Sequence, residues 1–293
     1  MTSETEITLK YKVKVDEIDI DQLMNYNLAI SVSHNEVTIS VIDTISKKCL
    51  LGEKHEFEID NSSTNILSIL HSIIDEHHLL KARFWKNITI TYNGKNFTLI
   101  PSSLVEEDNL EQYLELHGEW NKGTEKIDSF RHKSIGITNI FTIPKDVEHF
   151  FIDLYGEKVN FSHQTSSFIE GILNDQNTSS EKSIYANCEG NTISIAVLKS
   201  GKLEYCNQFN YNNSQDIVYY TLFVMNELYL NPENTPLTIW GDLDIKSEAY
   251  LELFKFVRNV NFGTRPSELT FSYHFDEIDE HQLFSSLSTY YYE

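Results

Sequence analysis

Eleven histidines are the side chains best suited to metal or acid–base chemistry, and His71, His77 and His78 fall closest together. On a helix, a separation of seven residues sets His71 and His78 on one side. A zinc site needs three or four ligands, and with no third ligand the spacing predicts a solvated helix end. Asp16, Asp19 and Asp21 begin like a calcium loop, but the sixth position, which requires glycine, is Asp21 and no bidentate Glu follows at the twelfth. No Gly-x-Ser-x-Gly elbow is present, which removes a hydrolase triad of that kind. Cys49, Cys188 and Cys206 lack Cys-x-x-Cys spacing, and an odd number of thiols predicts free cysteines in a reducing compartment. Cys188 stands beside Glu189, and a neighbouring acid raises a thiol pKa, so an inert or merely exposed cysteine is expected there.

Charge narrows the partners. The 293-residue chain carries 23 Lys and Arg against 44 Asp and Glu, a net charge of -21. Phosphate-binding surfaces cluster their cations, so neither nucleic acid nor an anionic membrane is expected as a partner. Lys10, Lys12 and Lys14 share one face of a strand and Arg131, His132 and Lys133 cluster, but both groups are too short to outweigh the global field. No run approaches the roughly 20 apolar residues of a membrane span, and the opening Met1-Thr2-Ser3-Glu4 has no charged and apolar leader pattern. A cytoplasmic, folded, acidic protein is the expectation; its hydrophobic fraction of 40% is that of a globule burying roughly 75% of its unfolded surface.

The elements that must position any site read as one unit written twice. Residues 28–42 (LAISVSHNEVTISVI) and 183–197 (SIYANCEGNTISIAV) each read as two strands around a polar tip. They share Thr-Ile-Ser, at Thr38, Ile39 and Ser40 and at Thr192, Ile193 and Ser194. Each hairpin runs into a third strand, a long helix and a short apolar strand, at 88–91 in one half and 237–240 in the other. A duplicated fold follows. Ile7, Leu9, Tyr11, Val13 and Val15 alternate with polar residues and predict an additional N-terminal strand. A strand is expected at 55–59, then N-cap candidates Asn61, Ser62, Ser63 and Thr64, then a helix with Ile66, Leu67, Leu70, Ile73 and Ile74 on one face. Asn93-Gly94 predicts a hairpin between 88–92 and 97–100. Helices are expected at 106–116, 146–154 and 165–173, with strands at 135–143 and 159–161. The polar stretch 174–182 serves as the boundary, giving a first lobe at 1–180 with the inserted hairpin and a second at 181–293. The second lobe reads as a meander over 183–211, helices at 214–230, 249–257 and 280–287, and strands at 237–240 and 269–273. Strands alternating with helices in both halves predict an α/β class with mixed sheets.

This duplicated unit resembles the actin-like ATPase fold of sugar kinases, Hsp70 chaperones and actin. The run Phe275-Asp276-Glu277-Ile278-Asp279-Glu280-His281-Gln282-Leu283-Phe284, with Phe141-Thr142-Ile143-Pro144 and Val159-Asn160-Phe161-Ser162-His163, resembles more narrowly an uncharacterised bacterial family of that fold. The resemblance spans nearly the whole chain and implies two lobes, each with a mixed sheet flanked by helices.

Active members of the fold hold nucleotide phosphates between two tips bearing Asp-x-Gly, with a Gly-Gly turn near the adenosine. Glycine lets backbone N–H groups approach an anion, and the aspartates hold magnesium and orient water. The corresponding tips here read Ser33-His34-Asn35 and Asn187-Cys188-Glu189-Gly190-Asn191, neither with Asp-x-Gly, and Ile239-Trp240-Gly241-Asp242-Leu243 keeps a single glycine. The resemblance implies Ser33, His34, Asn35, Asn187, Gly190, Asn191 and Gly241 as nucleotide contacts if a nucleotide binds, with Asp43 or Asp242 the nearby acids for a metal. Trp240 reads as core, with base stacking the rival role. No catalytic or metal residue is assigned and no cofactor is expected. The resulting expectation is a non-catalytic pseudo-ATPase acting as a protein-interaction scaffold. The alternative is an ATP- and magnesium-using ATPase or small-molecule kinase with a divergent phosphate site.

Overall fold

The computed structural model describes residues 7–16, 18–58, 65–116, 118, 120–175 and 181–292. The chain forms two compact units, residues 1–166 with 269–277 and residues 167–268 with 278–293. The boundary stretch 174–182 falls mostly on 176–180, outside the described residues, as do the N-cap candidates 61–64.

In chain order the first unit comprises β1 (Ile7–Lys14), β2 (Tyr26–Val32), β3 (Glu36–Asp43), β4 (Lys48–Phe57), α1 (Ile66–Glu76), β5 (Asn87–Tyr92) and β6 (Phe97–Pro101), then α2 (Glu111–Glu115), β7 (Glu125–His132), β8 (Ile137–Pro144), α3 (Lys145–Tyr155) and β9 (Val159–His163). Its main sheet has the order β1-β4-β3-β2-β5-β9. Strands β2 and β3 are almost wholly buried, as central strands covered on both faces are, β3 through a run rich in β-branched residues from Val37 to Ile42. Helix α1 starts at Asn65, whose side chain accepts from Leu67 N at 3.1 Å, and it buries Ile69, Leu70, Ile73 and Ile74. Helix α3 stops at Gly156, at φ 84, whose N–H reaches Ile152 O at 2.7 Å.

Helix α4 (Gln164–Asn174) leads into the second unit: β10 (Lys182–Glu189), β11 (Thr192–Lys199), β12 (Lys202–Asn210), α5 (Ser214–Glu227), β13 (Leu237–Gly241), α6 (Glu248–Phe256), β14 (Val260–Phe262) and α7 (Phe284–Ser288). Its sheet order, β12-β11-β10-β13-β14, repeats β4-β3-β2-β5-β9 strand for strand. The duplication is therefore architectural. The two Thr-Ile-Ser runs are not at equivalent places: Thr192 directly follows its turn and pairs with Glu189, while Thr38 lies two residues further from its own turn and pairs with Ser31. A shift of two keeps each residue on the same sheet face.

Four expectations are corrected. Asn93-Gly94 closes no hairpin, because β5 pairs with β2 and β9 while β6 joins β8 and β7 in a separate three-stranded sheet. Residues 269–273 contribute only a single bridge, Lys48 to Thr270, in the first unit. The helix expected at 106–116 breaks into a 3-10 turn at Glu107–Asn109 and the short α2. The terminal helix shortens to α7, because Leu283 takes a left-handed φ of 62 before it. Among the described residues no helix is long and apolar enough to cross a membrane.

Candidate functional site: the two hairpin tips

The β2–β3 tip spends its amides on itself. Ser33 N donates to Glu36 O at 2.9 Å, and Ser33 Oγ accepts from Glu36 N at 3.1 Å and Asn35 N at 3.4 Å. Asn35 O is taken by Phe57 N at 2.9 Å. A phosphate cradle needs N–H groups aimed outward, and here the amides of Ser33, Asn35 and Glu36 turn inward. Directly behind the turn the buried Glu36 carboxylate stands 2.9 Å from the buried Lys54 ammonium. His34 is exposed at the apex. Asp43, a candidate metal ligand by sequence, sits at the opposite end of β3, roughly 25 Å from Asn35 at ~3.3 Å per residue. There it caps a turn, accepting from Ile45 N and from Ser46 Oγ.

The β10–β11 tip is a two-residue turn with Gly190 in its first central position at φ 59, which is the place a type II′ hairpin reserves for glycine. The Gly190 amide is the donor an anion would seek. It donates instead to Asp242 Oδ2 at 3.1 Å, and Asp242 N donates to Cys188 O at 2.6 Å. The link depends on Gly241: at φ 93, a Cβ there would lie 1.9 Å from Cys188 O. Parallel pairing of β10 with β13 places Cys188 opposite Gly241, so the single glycine of this turn serves backbone packing. Tyr211 Oη further donates to Gly190 O at 2.6 Å. An aspartate thus fills the anion position at this tip.

Asn187 is buried, donating Nδ2 to Ser285 Oγ at 2.9 Å, and among the described residues its Oδ1 has no hydrogen-bond partner. Cys188 is fully buried, not exposed. Burial, reinforced by Asp242 and Glu189, pushes its thiol far above the usual range, so thiolate chemistry is closed to it. Trp240 is core: its ring stacks on Phe284 at 4.3 Å and on Tyr185 at 6.0 Å, and Nε1 donates to Thr264 O at 3.0 Å. A Cβ on residue 263 would lie 1.9 Å from this ring. No indole face remains for a base. The sequence tips therefore divide: Gly190 and Gly241 meet through Asp242 and Cys188, while Ser33, His34 and Asn35 form a self-satisfied turn.

Sequence reasoning missed a buried charge cluster in the first unit. Glu53 accepts from Lys12 Nζ at 2.7 Å and lies 2.5 Å from His55 Nε2 and 3.2 Å from His77 Nε2. Burial alone would raise its carboxyl, but hydrogen bonds from His55, His77 and Lys12 outweigh that and hold it far below the carboxylate range. The available signal in the sequence was Glu53 and His55 two apart on one strand face; Lys12 comes opposite Glu53 only through the β1–β4 register. His77 closes α1 and points inward, whereas His71 packs edge-on against Phe150 and His78 is exposed. Among the described residues no group of three or more His, Cys, Asp or Glu is arranged to hold a metal ion.

Two units of repeated strand order, each presenting a hairpin tip, define an actin-like ATPase fold. A protein of Bacteroides thetaiotaomicron described as having that fold and unknown function is similar over 84% of this chain and 93% of its own, at 26% identity and a TM-score of 0.74. The type IV pilus biogenesis complex PilM-PilN is similar over 91% of this chain and 97% of that one, at 9% identity and a TM-score of 0.56, a likeness of fold alone. No curated protein matches. The family described as "Protein of unknown function (DUF3822)" matches residues 15–260, and the chain belongs to it.

Proposed function

We propose that this is a pseudo-ATPase, an actin-like protein that acts by binding another protein and turns over no nucleotide. The observation that carries the proposal is Asp242 on the Gly190 amide. A carboxylate held at the anion-seeking donor opposes phosphate by occupancy and by charge, in a chain already at -21. The inward amides at Ser33–Glu36 and the buried Trp240 act in the same direction. Phosphoryl transfer depends almost entirely on positioning and charge stabilisation, and neither tip offers a cationic side chain for it. The scaffold role takes support from the PilM-PilN type IV pilus biogenesis complex, where a chain of this fold occurs in a complex of two proteins.

A phosphate-release assay on the full chain with ATP and magnesium tests the proposal. Release at the level of a buffer blank is expected. Sustained release that scales with protein and is lost on Gly190→Ala substitution would establish the rival reading, an ATPase or small-molecule kinase with a divergent cradle.

A further inference from the structure

Helices α1 and α3 lead into the parallel neighbours β5 and β9, so they lie side by side in one direction on the first unit. Between them runs an open groove of about 760 Å³. Its walls are helical stripes. Leu67, His71 and Ile74 recur along α1 at intervals of four and three, and Asp146, Phe150 and Asp153 along α3 at the same intervals. The floor is apolar, from Leu67, Ile74, Phe150 and Leu154, and the His71 ring stands edge-on to Phe150 at 4.8 Å.

The charges on the rim select the occupant. Asp75 is already matched by Lys81 at 3.4 Å. Asp146, whose Oδ1 accepts from Val147 N at 2.8 Å, and Asp153 are both exposed along the α3 edge, and among the described residues neither is paired with a cation. Seven residues apart, they are spaced about 10 Å along the helix axis, the same spacing as two cations at i and i+7 on a second helix. Apolar residues at i+3 and i+4 of such a helix would face the groove floor. Arg83 also lines the groove and, among the described residues, is the one Lys or Arg on its rim besides Lys81, so the two exposed α3 carboxylates outnumber it along the edge that a basic helix would meet.

We infer that the α1–α3 groove docks a short, basic, amphipathic helix of a partner protein. A second copy of this chain fits poorly, because its charge of -21 would meet the same carboxylates. This deepens the scaffold half of the proposed function, but it concerns a different surface from the tips.

The test is fluorescence anisotropy of the full chain with a labelled amphipathic helix of leucine and lysine, and with its leucine and glutamate counterpart, at 150 mM salt. Saturable binding of the lysine peptide is expected. It should weaken about tenfold, equivalent to about 1.4 kcal/mol, in Asp146→Lys/Asp153→Lys, and that variant should gain binding of the glutamate peptide. Glu227→Lys/Glu248→Lys, an equal charge change in the second unit, should leave the lysine peptide's affinity within twofold. Equal weakening by both double variants, or no saturable binding, overturns the inference. Self-association of the wild-type chain that Asp146→Lys/Asp153→Lys abolishes would also overturn it, by assigning the groove to a second copy. Phosphate release by the chain would overturn the pseudo-ATPase proposal and leave the groove standing, whereas a failed peptide result would do the reverse.

Discussion

Replacing Gly241 by alanine tests the junction between β13 and the second tip. Gly241 holds φ 93, and its missing Cβ would lie 1.9 Å from Cys188 O, 2.6 Å from Cys188 C and 2.9 Å from Cys188 N. These are backbone atoms of a fully buried strand, so no side-chain rotation relieves the clash. The positive φ costs about 1–3 kcal/mol for a residue with a Cβ. Parting the strands gives up the Asp242 N to Cys188 O and Gly190 N to Asp242 Oδ2 bonds, at about 1 kcal/mol each. A total of about 3–5 kcal/mol corresponds to a fall in Tm of roughly 10 °C, at about 2–4 °C per kcal/mol for chains of this order of size. The control is Gly136→Ala, where φ is 65 and a Cβ would meet nothing within 4 Å among the described residues; it carries only the backbone cost of about 1–2 kcal/mol. Differential scanning calorimetry of both variants at pH 7 gives the comparison. A Gly241→Ala protein that melts no lower than Gly136→Ala would refute the tight junction, and with it the placement of Asp242 on the Gly190 amide.

Other perturbations have equally definite outcomes. Removing one partner from a buried ion cluster costs about 3–5 kcal/mol, and Glu53→Gln should lose that much in urea unfolding. Because the folded Glu53 pKa lies below its ordinary 4.5, its contribution is present above about pH 4.5 and fades below it, so the gap between wild type and variant should narrow in acid. His163 is fully buried, and burial holds its imidazole at about 4 from an ordinary 6.5, although its contact with Gly94 O opposes the shift. The unfolded chain then takes up the proton first, so wild type should lose about 2 kcal/mol between pH 7 and pH 5. That slope should be absent in His163→Gln; an identical slope in the variant would show that His163 is not the group responsible. Trp240→Ala should cost about 3–5 kcal/mol as a fully buried aromatic, and less than 1 kcal/mol would contradict its place beneath Phe284.

Largely apolar runs in β2, β3, β10 and β11, written twice along the chain, and the helical stripe of α1 made the repeated core legible in local sequence. What was not legible depended on distant pairing. Asn93-Gly94 has the chemistry of a hairpin turn, but β6 finds a better partner in β8, some forty residues on, and tertiary pairing overrides the local signal. Glu53 recruits Lys12 and His77 from sequence-remote elements, and no spacing rule links the three. At the tips, residue types showed what was missing from Asp-x-Gly. That Asp242 itself takes the Gly190 amide required the β10–β13 register, in which Cys188 faces Gly241. Asp43 looked near the first tip only because eight strand residues read as close in sequence.

If both tips are closed to phosphate, as proposed, calorimetric titration of the full chain with ATP and with ADP, with and without magnesium, reads that closure. No saturable heat is expected up to millimolar nucleotide. A Kd below about 100 μM, equivalent to about 5.5 kcal/mol, that is lost on Gly190→Ala substitution would contradict the proposal, because the tip amides bonded to Ser33 Oγ and Asp242 Oδ2 would then be holding nucleotide.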